Sequence, residues 1–170
     1  PQPVRWSVTD EPVIGYDWSP DGSQIVYQGG ITEETSIHLA DSGGSEPVLD
    51  FPESEQAITT ARFSSRTGGF NAWTEHGIVF TTNHETGFRE IAIGQPDGTF
   101  ELWFSNERDK FEPGWTPSGD ITFIESQPGA DALRLVAPDD TVETVDGTGT
   151  NWPPLHADGA LYYKHQDATT

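Results

Sequence analysis

The stretch Tyr16 to Tyr27, YDWSPDGSQIVY, reads as a strand, a tight turn and a second strand. Tyr16 and Trp18 alternate with Asp17, the period of a half-buried strand. Ser-Pro-Asp-Gly follows: proline presets φ and glycine accepts the positive φ of a tight turn. Ile25, Val26 and Tyr27 form a β-rich return run. One hairpin cannot bury its own apolar face, so such a motif must recur to be stable.

It recurs. WTPSGDITFI (Trp115 to Ile124) has the same order of aromatic, hydroxyl, proline, polar residue, glycine and return strand. LHADGALYY (Leu155 to Tyr163) is a further copy, with Ala157 in the proline position. FSSRTGG, from Phe63, begins another, whose return strand comes late, at Gly77 to Thr82. The interval from aromatic to return strand is 7 residues from Trp18 to Ile25, 6 from Trp115 to Ile121 and from Leu155 to Leu161, and 15 from Phe63 to Ile78. The long interval is read as an insertion, FNAWTEHG, in the first turn of that copy.

Spacing beyond the hairpins is also regular. Ile25 to Ile37 is 12 residues, Ile78 to Ile91 is 13 and Ile121 to Leu133 is 12, each ending in an alternating strand (SIHLA, REIAI, ALRLV). A turn follows each time, then a fourth short strand: EPVLD, TFELWF and TVETV. The unit is thus four antiparallel strands. The expected fold is all-β, a β-propeller with complete blades at about 11–52, 56–106 and 110–146. A partial blade at 150–170 would be shared with the N-terminal strand at 4–8, where Val4, Trp6 and Val8 alternate. The last repeat stops halfway, so the chain is expected to be a segment of a larger propeller.

The chain of 170 residues carries 28 acidic and 8 basic residues, a net charge of −20. Its only lysines are Lys110 and Lys164. A field of that sign repels nucleic acid and anionic membranes. Acidic residues are spread over turns and strands, the surface of a salt-adapted protein; an ordinary acidic protein is the alternative. There is no Cys, which excludes disulfides, and no apolar run reaches a membrane-spanning length.

WSPDGSQIVY and WTPSGDITFI, with IHLAD and the DSGG turn, resemble the WD-repeat-like propeller repeat of TolB, tricorn protease and prolyl oligopeptidase propellers. The resemblance is strong in the first unit, good in the third, and weak in the second, where FSSRTGG lacks Pro-Asp-Gly. TolB-like propellers bind protein partners, and peptidase propellers gate a separate catalytic domain. The TolB resemblance favours an extracytoplasmic location.

Candidate chemistry is sparse. DSGG (Asp41 to Gly44) looks like a serine-protease nucleophile loop, but the repeat places it at a turn between strands, and no G-x-S-x-G elbow occurs. His38, His76, His84, His156 and His165 form no H-x-x-x-H or H-E-x-x-H pair. The Asp-Gly turns lack the D-x-[DN]-x-[DN]-G calcium loop and serve hairpin geometry instead. No catalytic residue, metal ligand or cofactor is therefore assigned. The apparent insertion, with Phe70, Trp73 and His76, is the candidate binding surface; a longer hairpin packing on its own blade is the alternative. Trp103 and Phe104, adjacent in ELWF, are expected on opposite faces of an edge strand.

The reading is a non-catalytic propeller scaffold for a protein or ligand. Its partner would be another protein or the remainder of its own propeller, with self-association through exposed strand edges as a further outcome. The alternatives are the propeller module of a prolyl-oligopeptidase-like serine peptidase, catalysis lying elsewhere, and a self-contained four-bladed propeller with a channel ligand.

Overall fold

The computed structural model describes residues 13–31, 34–41, 49–50, 72–82, 87–147, 149–151, 155–157, 160–163 and 165–167. The first sheet comprises β1 (Val13–Trp18), β2 (Gln24–Ile31), β3 (Glu34–Asp41) and β4 (Leu49–Asp50), hydrogen-bonded in that order. The second comprises β5 (Trp73–Thr74), β6 (Gly77–Thr82), β7 (Glu90–Gly94) and β8 (Phe100–Phe104). The third comprises β9 (Lys110–Trp115), β10 (Ile121–Glu125), β11 (Ala132–Val136) and β12 (Val142–Asp146). All neighbouring strands are antiparallel, and each sheet follows chain order.

The C-terminal stretch adds β13 (Gly149–Asn151), β14 (Leu155–Ala157), β15 (Ala160–Tyr162) and β16 (His165–Asp167). β14 pairs with β15, and β13 with β16, as the inner and outer parts of one hairpin. Leu155 lies opposite Tyr162, and His156 opposite Leu161. The N-terminal strand expected at 4–8 lies outside the described residues.

The first hairpins of the first and third sheets are built by the residue after the aromatic. In the first sheet the Gln24 N–H donates to the Ser19 hydroxyl at 2.9 Å, and the Gly22 N–H to the Ser19 carbonyl at 2.9 Å. In the third, the Asp120 N–H donates to the Thr116 hydroxyl at 3.0 Å, and the Gly119 N–H to the Thr116 carbonyl at 3.1 Å. A serine or threonine here satisfies turn donors that a purely apolar residue would leave open.

The second sheet corrects the sequence reading. Its first strand is Trp73–Thr74, joined to β6 through Glu75 and His76. Trp73 lies opposite Ile78, as Trp18 lies opposite Ile25 and Trp115 opposite Ile121. Thr74 accepts from the His76 N–H at 3.2 Å, in the position of Ser19 and Thr116. The aromatic of this repeat is therefore Trp73, and the supposed insertion contains a short hairpin. Phe63 and the rest of FSSRTGG lie outside the described residues. Gly77 ends this turn at φ 117, where an added Cβ would stand 2.8 Å from Ile93 Cγ2 and 2.9 Å from the Gly94 carbonyl.

Period-2 alternation sends the two faces of the second sheet to different cores. Ile78, Phe80, Ala92 and Trp73 pack with Val26, Ile37 and Leu39 of the first sheet. Val79, Ile91 and Ile93 pack with Trp115, Ile121, Phe123 and Val136 of the third. All of β6 and β7 is buried. Directional bonds fasten the stack: Asp17 Oδ2 accepts from the Ala72 and Trp73 N–H groups at 2.7 and 3.1 Å. Trp115 Nε1 donates to the Gly77 carbonyl at 3.1 Å. Burial raises the Asp17 carboxyl above its usual value, against the N–H groups of Trp73, Trp18 and Ala72, which pull it down.

Bulges adjust the strands. Pro113 has no N–H to donate; the ladder runs from Thr122 opposite Gly114 to Ile124 opposite Phe111, leaving Glu112 and Pro113 facing Phe123 alone. Glu112 takes φ 53 there. A second shift sets Ile91 opposite Phe104 but Ala92 opposite Leu102. That extra residue overrides simple alternation: Trp103 and Phe104 both pack against the core between the second and third sheets, not on opposite faces.

Gly22 sits at φ 70 with nothing within 4 Å of an added Cβ, so a side chain there meets backbone strain alone. Gly22→Val should cost at least about 1–2 kcal/mol because a β-branched residue resists this region. Urea unfolding should show a lower midpoint at unchanged slope, and an unchanged midpoint would contradict the turn.

Candidate functional site

Of the candidate binding residues, Trp73 and His76 do not share one exposed surface. Trp73 is 7% exposed and belongs to the core between the first and second sheets. His76 is exposed on the hairpin turn, where its ring lies 5.4 Å from that of Trp115 and its Nε2 would stand 3.1 Å from a Cβ on Gly119. It caps the neighbouring sheet's aromatic and turn. Phe70 lies outside the described residues.

The acidic turns spend their carboxylates locally. Asp21 Oδ1 accepts from the Ser23 N–H at 3.0 Å and from the Ser19 and Ser23 hydroxyls at 2.7 and 2.8 Å. These bonds lower its pKa to about 2. Asp97 and Asp139 accept from the N–H and hydroxyl of Thr99 and from the N–H of Thr141, and both are held below the usual carboxylate range. Among the described residues no group of three or more His, Asp or Glu is placed to hold a metal. His38 stacks on Tyr27 at 5.0 Å between centroids.

Polar side chains converge instead at the seam between the second and third sheets. The chain leaves β8 at Phe104 and enters β9 at Lys110, and this link (Ser105 to Asp109) meets the end of β10 and the start of β11. Lys110 is fully buried. Its ammonium donates to Asn106 Oδ1 at 2.7 Å, the Arg108 carbonyl at 2.7 Å and the Asn106 carbonyl at 3.3 Å. It also lies 5.4 Å above the Phe104 ring. Burial lowers its pKa, and the charges of Glu125, Glu90 and Asp109 oppose that shift. The Asp109 carboxylate accepts from the Arg89 N–H at 2.9 Å, and the Ser105 hydroxyl donates to Glu90.

Glu125 is the hub. Its side chain is 5% exposed, and its Oε2 accepts from Arg134 Nη2 at 2.9 Å and Nε at 3.1 Å. Oε1 accepts from Asn106 Nδ2 at 2.7 Å, and Gln127 Nε2 reaches Oε2 at 3.2 Å. Arg108 stands 3.5 Å away. Burial pushes this carboxyl up, but the bonds from Asn106 and Arg134 and the charge of Arg134 outweigh it and hold the group below its usual value. Above this hub opens a groove of about 480 Å³ lined by Phe104, Asn106, Glu107, Arg108, Glu125, Arg134 and Val142. Arg89, Arg108, Lys110 and Arg134 account for four of the chain's eight basic residues. The one sequence signal for this seam was ERDK (Glu107 to Lys110), a charged quartet between strands in a lysine-poor chain.

No family model matches the sequence, and no curated protein matches it. Solved structures do match. Across 96% of this chain and 61% of the other, the fold matches a protein assigned as TolB from Agrobacterium tumefaciens, with a TM-score of 0.68 and 20% identity. The fold is TolB-like. Across 94% of this chain and 39% of the other, it matches TolB from Acinetobacter baumannii at the same TM-score and identity. The chain therefore spans less than two thirds of either TolB chain. The antiparallel four-stranded sheets are β-propeller-like blades, and the groove lies at the seam of two of them.

Glu125→Gln should cost about 2 kcal/mol at pH 7, the scale of a lost bond to a charged group. A carboxyl lowered in the folded state contributes stability above its unfolded value, near 4.5, that is lost as pH falls through the folded value. The gap between wild type and Glu125→Gln in urea unfolding should shrink from pH 6 towards pH 3. A gap constant with pH would contradict the ionised hub.

Proposed function

We propose that the chain is a non-catalytic scaffold, part of a TolB-like propeller, that is completed by further propeller and presents its surface to a protein or ligand. The carrying observation is a comparison of three equivalent tryptophans. Trp73 and Trp115 are 7% and 1% exposed, each lying in the core shared with the preceding blade. Trp18, in the same register position of the first blade, is 42% exposed, and Tyr16 and Val13 on the same strand are 54% and 47% exposed. Equivalent positions have equivalent partners in a repeat fold. Exposed apolar residues on this strand present a surface suited to a further neighbour. TolB-like propellers act through protein partners, which favours the same role here over catalysis.

Without that neighbour, two copies should cover each other's first blade. Sedimentation equilibrium should show concentration-dependent dimers that Trp18→Lys abolishes while the far-ultraviolet spectrum is unchanged. A strict monomer at 100 µM, or dimers indifferent to Trp18→Lys, would overturn the reading.

The net charge of −20 supports salt adaptation as part of the same proposal. Raising KCl from 0.1 to 2 M shrinks the screening length from about 10 Å to below about 3 Å. The melting temperature should rise by several degrees across that range; a flat or falling profile would remove salt adaptation from the reading.

A further inference from the structure

The groove at the blade seam holds one cation, Arg108, that is engaged by a single 3.5 Å contact to Glu125. Arg134 gives Nε and Nη2 to Glu125, and its Nη1 donates to the Thr144 hydroxyl. With Asn106 and Gln127 also donating, the Glu125 carboxylate is saturated without Arg108. Arg108 adds one 3.5 Å contact, and its side chain is 45% exposed against 19% for Arg134. Two guanidiniums therefore serve one carboxylate, and among the described residues that contact is the only polar interaction of the Arg108 side chain. Beside it, Phe104 is half-buried and Val142 is 40% exposed, forming an apolar wall to the same groove.

We infer that this groove binds a peptide segment of a partner protein through a single carboxylate next to an apolar side chain. The carboxylate takes the Nε and Nη2 donors of Arg108, which the Nη1 contact to Glu125 leaves open, and the apolar side chain lies along Phe104 and Val142. Planar, two-pronged donation to a carboxylate is the geometry that arginine supplies and lysine does not. Glu125 remains with Arg134, so the ligand displaces no buried partner. Charge argues for selectivity. A surface of net charge −20 disfavours carboxylates generally, and here a guanidinium offers one contact pairing. Glu107, exposed on the same rim, adds a repulsive charge that disfavours a ligand with two carboxylates together. The inference does not depend on whether another blade covers Trp18.

N-acetyl-leucine is the minimal probe, with one carboxylate and one aliphatic side chain; N-acetylleucinamide is its uncharged control. Titration followed by nitrogen-15 NMR should shift the Arg108 Nε–H and the Val142 amide, with half-saturation in the millimolar range, and the amide control should leave both in place. Arg108→Gln should weaken binding about tenfold through loss of the charge-assisted fork. Glu107→Gln should strengthen it about twofold by removing the nearby like charge. The melting temperature of Arg108→Gln should stay within about 2 °C of wild type, as expected of a half-exposed side chain. If that variant does not fold, Arg108→Lys, which keeps the charge without the fork, should show the weakened binding. Equal shifts with the amide control, shifts unchanged in Arg108→Gln and Arg108→Lys, or no shift at all would overturn the assignment.

Discussion

Val79 and Phe80 are neighbours in β6, and they are buried in different cores. That divergence governs the whole assembly. A strand alternates its side chains across the sheet, so a strand apolar at every position has two faces to cover. β6 and β7 are buried throughout, and no four-stranded sheet can achieve that alone. The first and third blades are needed on either side. Each blade thus draws its stability from the blades packed against it. Trp73 and Trp115, at 7% and 1% exposed, show the same constraint from the first strands of the second and third blades.

Apolar contact alone does not set how one sheet sits on the next, because it is non-directional. Two kinds of bond do. Asp17 reaches from the first blade to the Ala72 and Trp73 N–H groups, and Trp115 reaches from the third to the Gly77 carbonyl. Both satisfy main-chain groups at the start of the second blade, where β5 is only two residues long and its ladder is correspondingly short. The edges of that hairpin are closed by its neighbours' side chains. The repeat aromatic therefore fills a core and, in Trp115, also supplies a donor that phenylalanine would lack.

Strand order was legible because turn chemistry is local. Ser19-Pro20-Asp21-Gly22 and Thr116-Pro117-Ser118-Gly119 state their geometry in four residues, and the hydroxyl bonds of Ser19 and Thr116 explain the motif. The second blade was misread because Thr74-Glu75-His76-Gly77 makes an equivalent hairpin without Pro-Asp-Gly and with a shorter interval. The pair Trp73-Thr74, matching Trp18-Ser19 and Trp115-Thr116, was the usable signal. Trp103 was misplaced because one added residue in a ladder inverts the face of all that follow, and nothing local announces it. Trp73 looked inserted for the first of these reasons, whereas its position in the repeat places it inside.

The seam network was illegible for a different reason. Asn106, Arg108, Lys110, Glu125 and Arg134 come together only when the link from β8 to β9 is folded against two strands of the next blade. Its composition is informative in retrospect. A chain with eight basic residues places four of them at this one junction. Lys110 does there what a surface lysine cannot. Its ammonium draws on both the carbonyl and the side chain of Asn106 and on the carbonyl of Arg108, fixing the path of the link by its polar groups. Burying that charge is costly in isolation, and the nearby carboxylates of Glu125, Glu90 and Asp109 offset the cost. An apolar residue would fill the same space but would leave three oxygen acceptors without this donor. The lysine thus specifies the link's conformation as well as occupying its volume. Because that conformation also sets where Arg108 stands, the same buried charge that orders the junction holds the groove's exposed guanidinium at its rim.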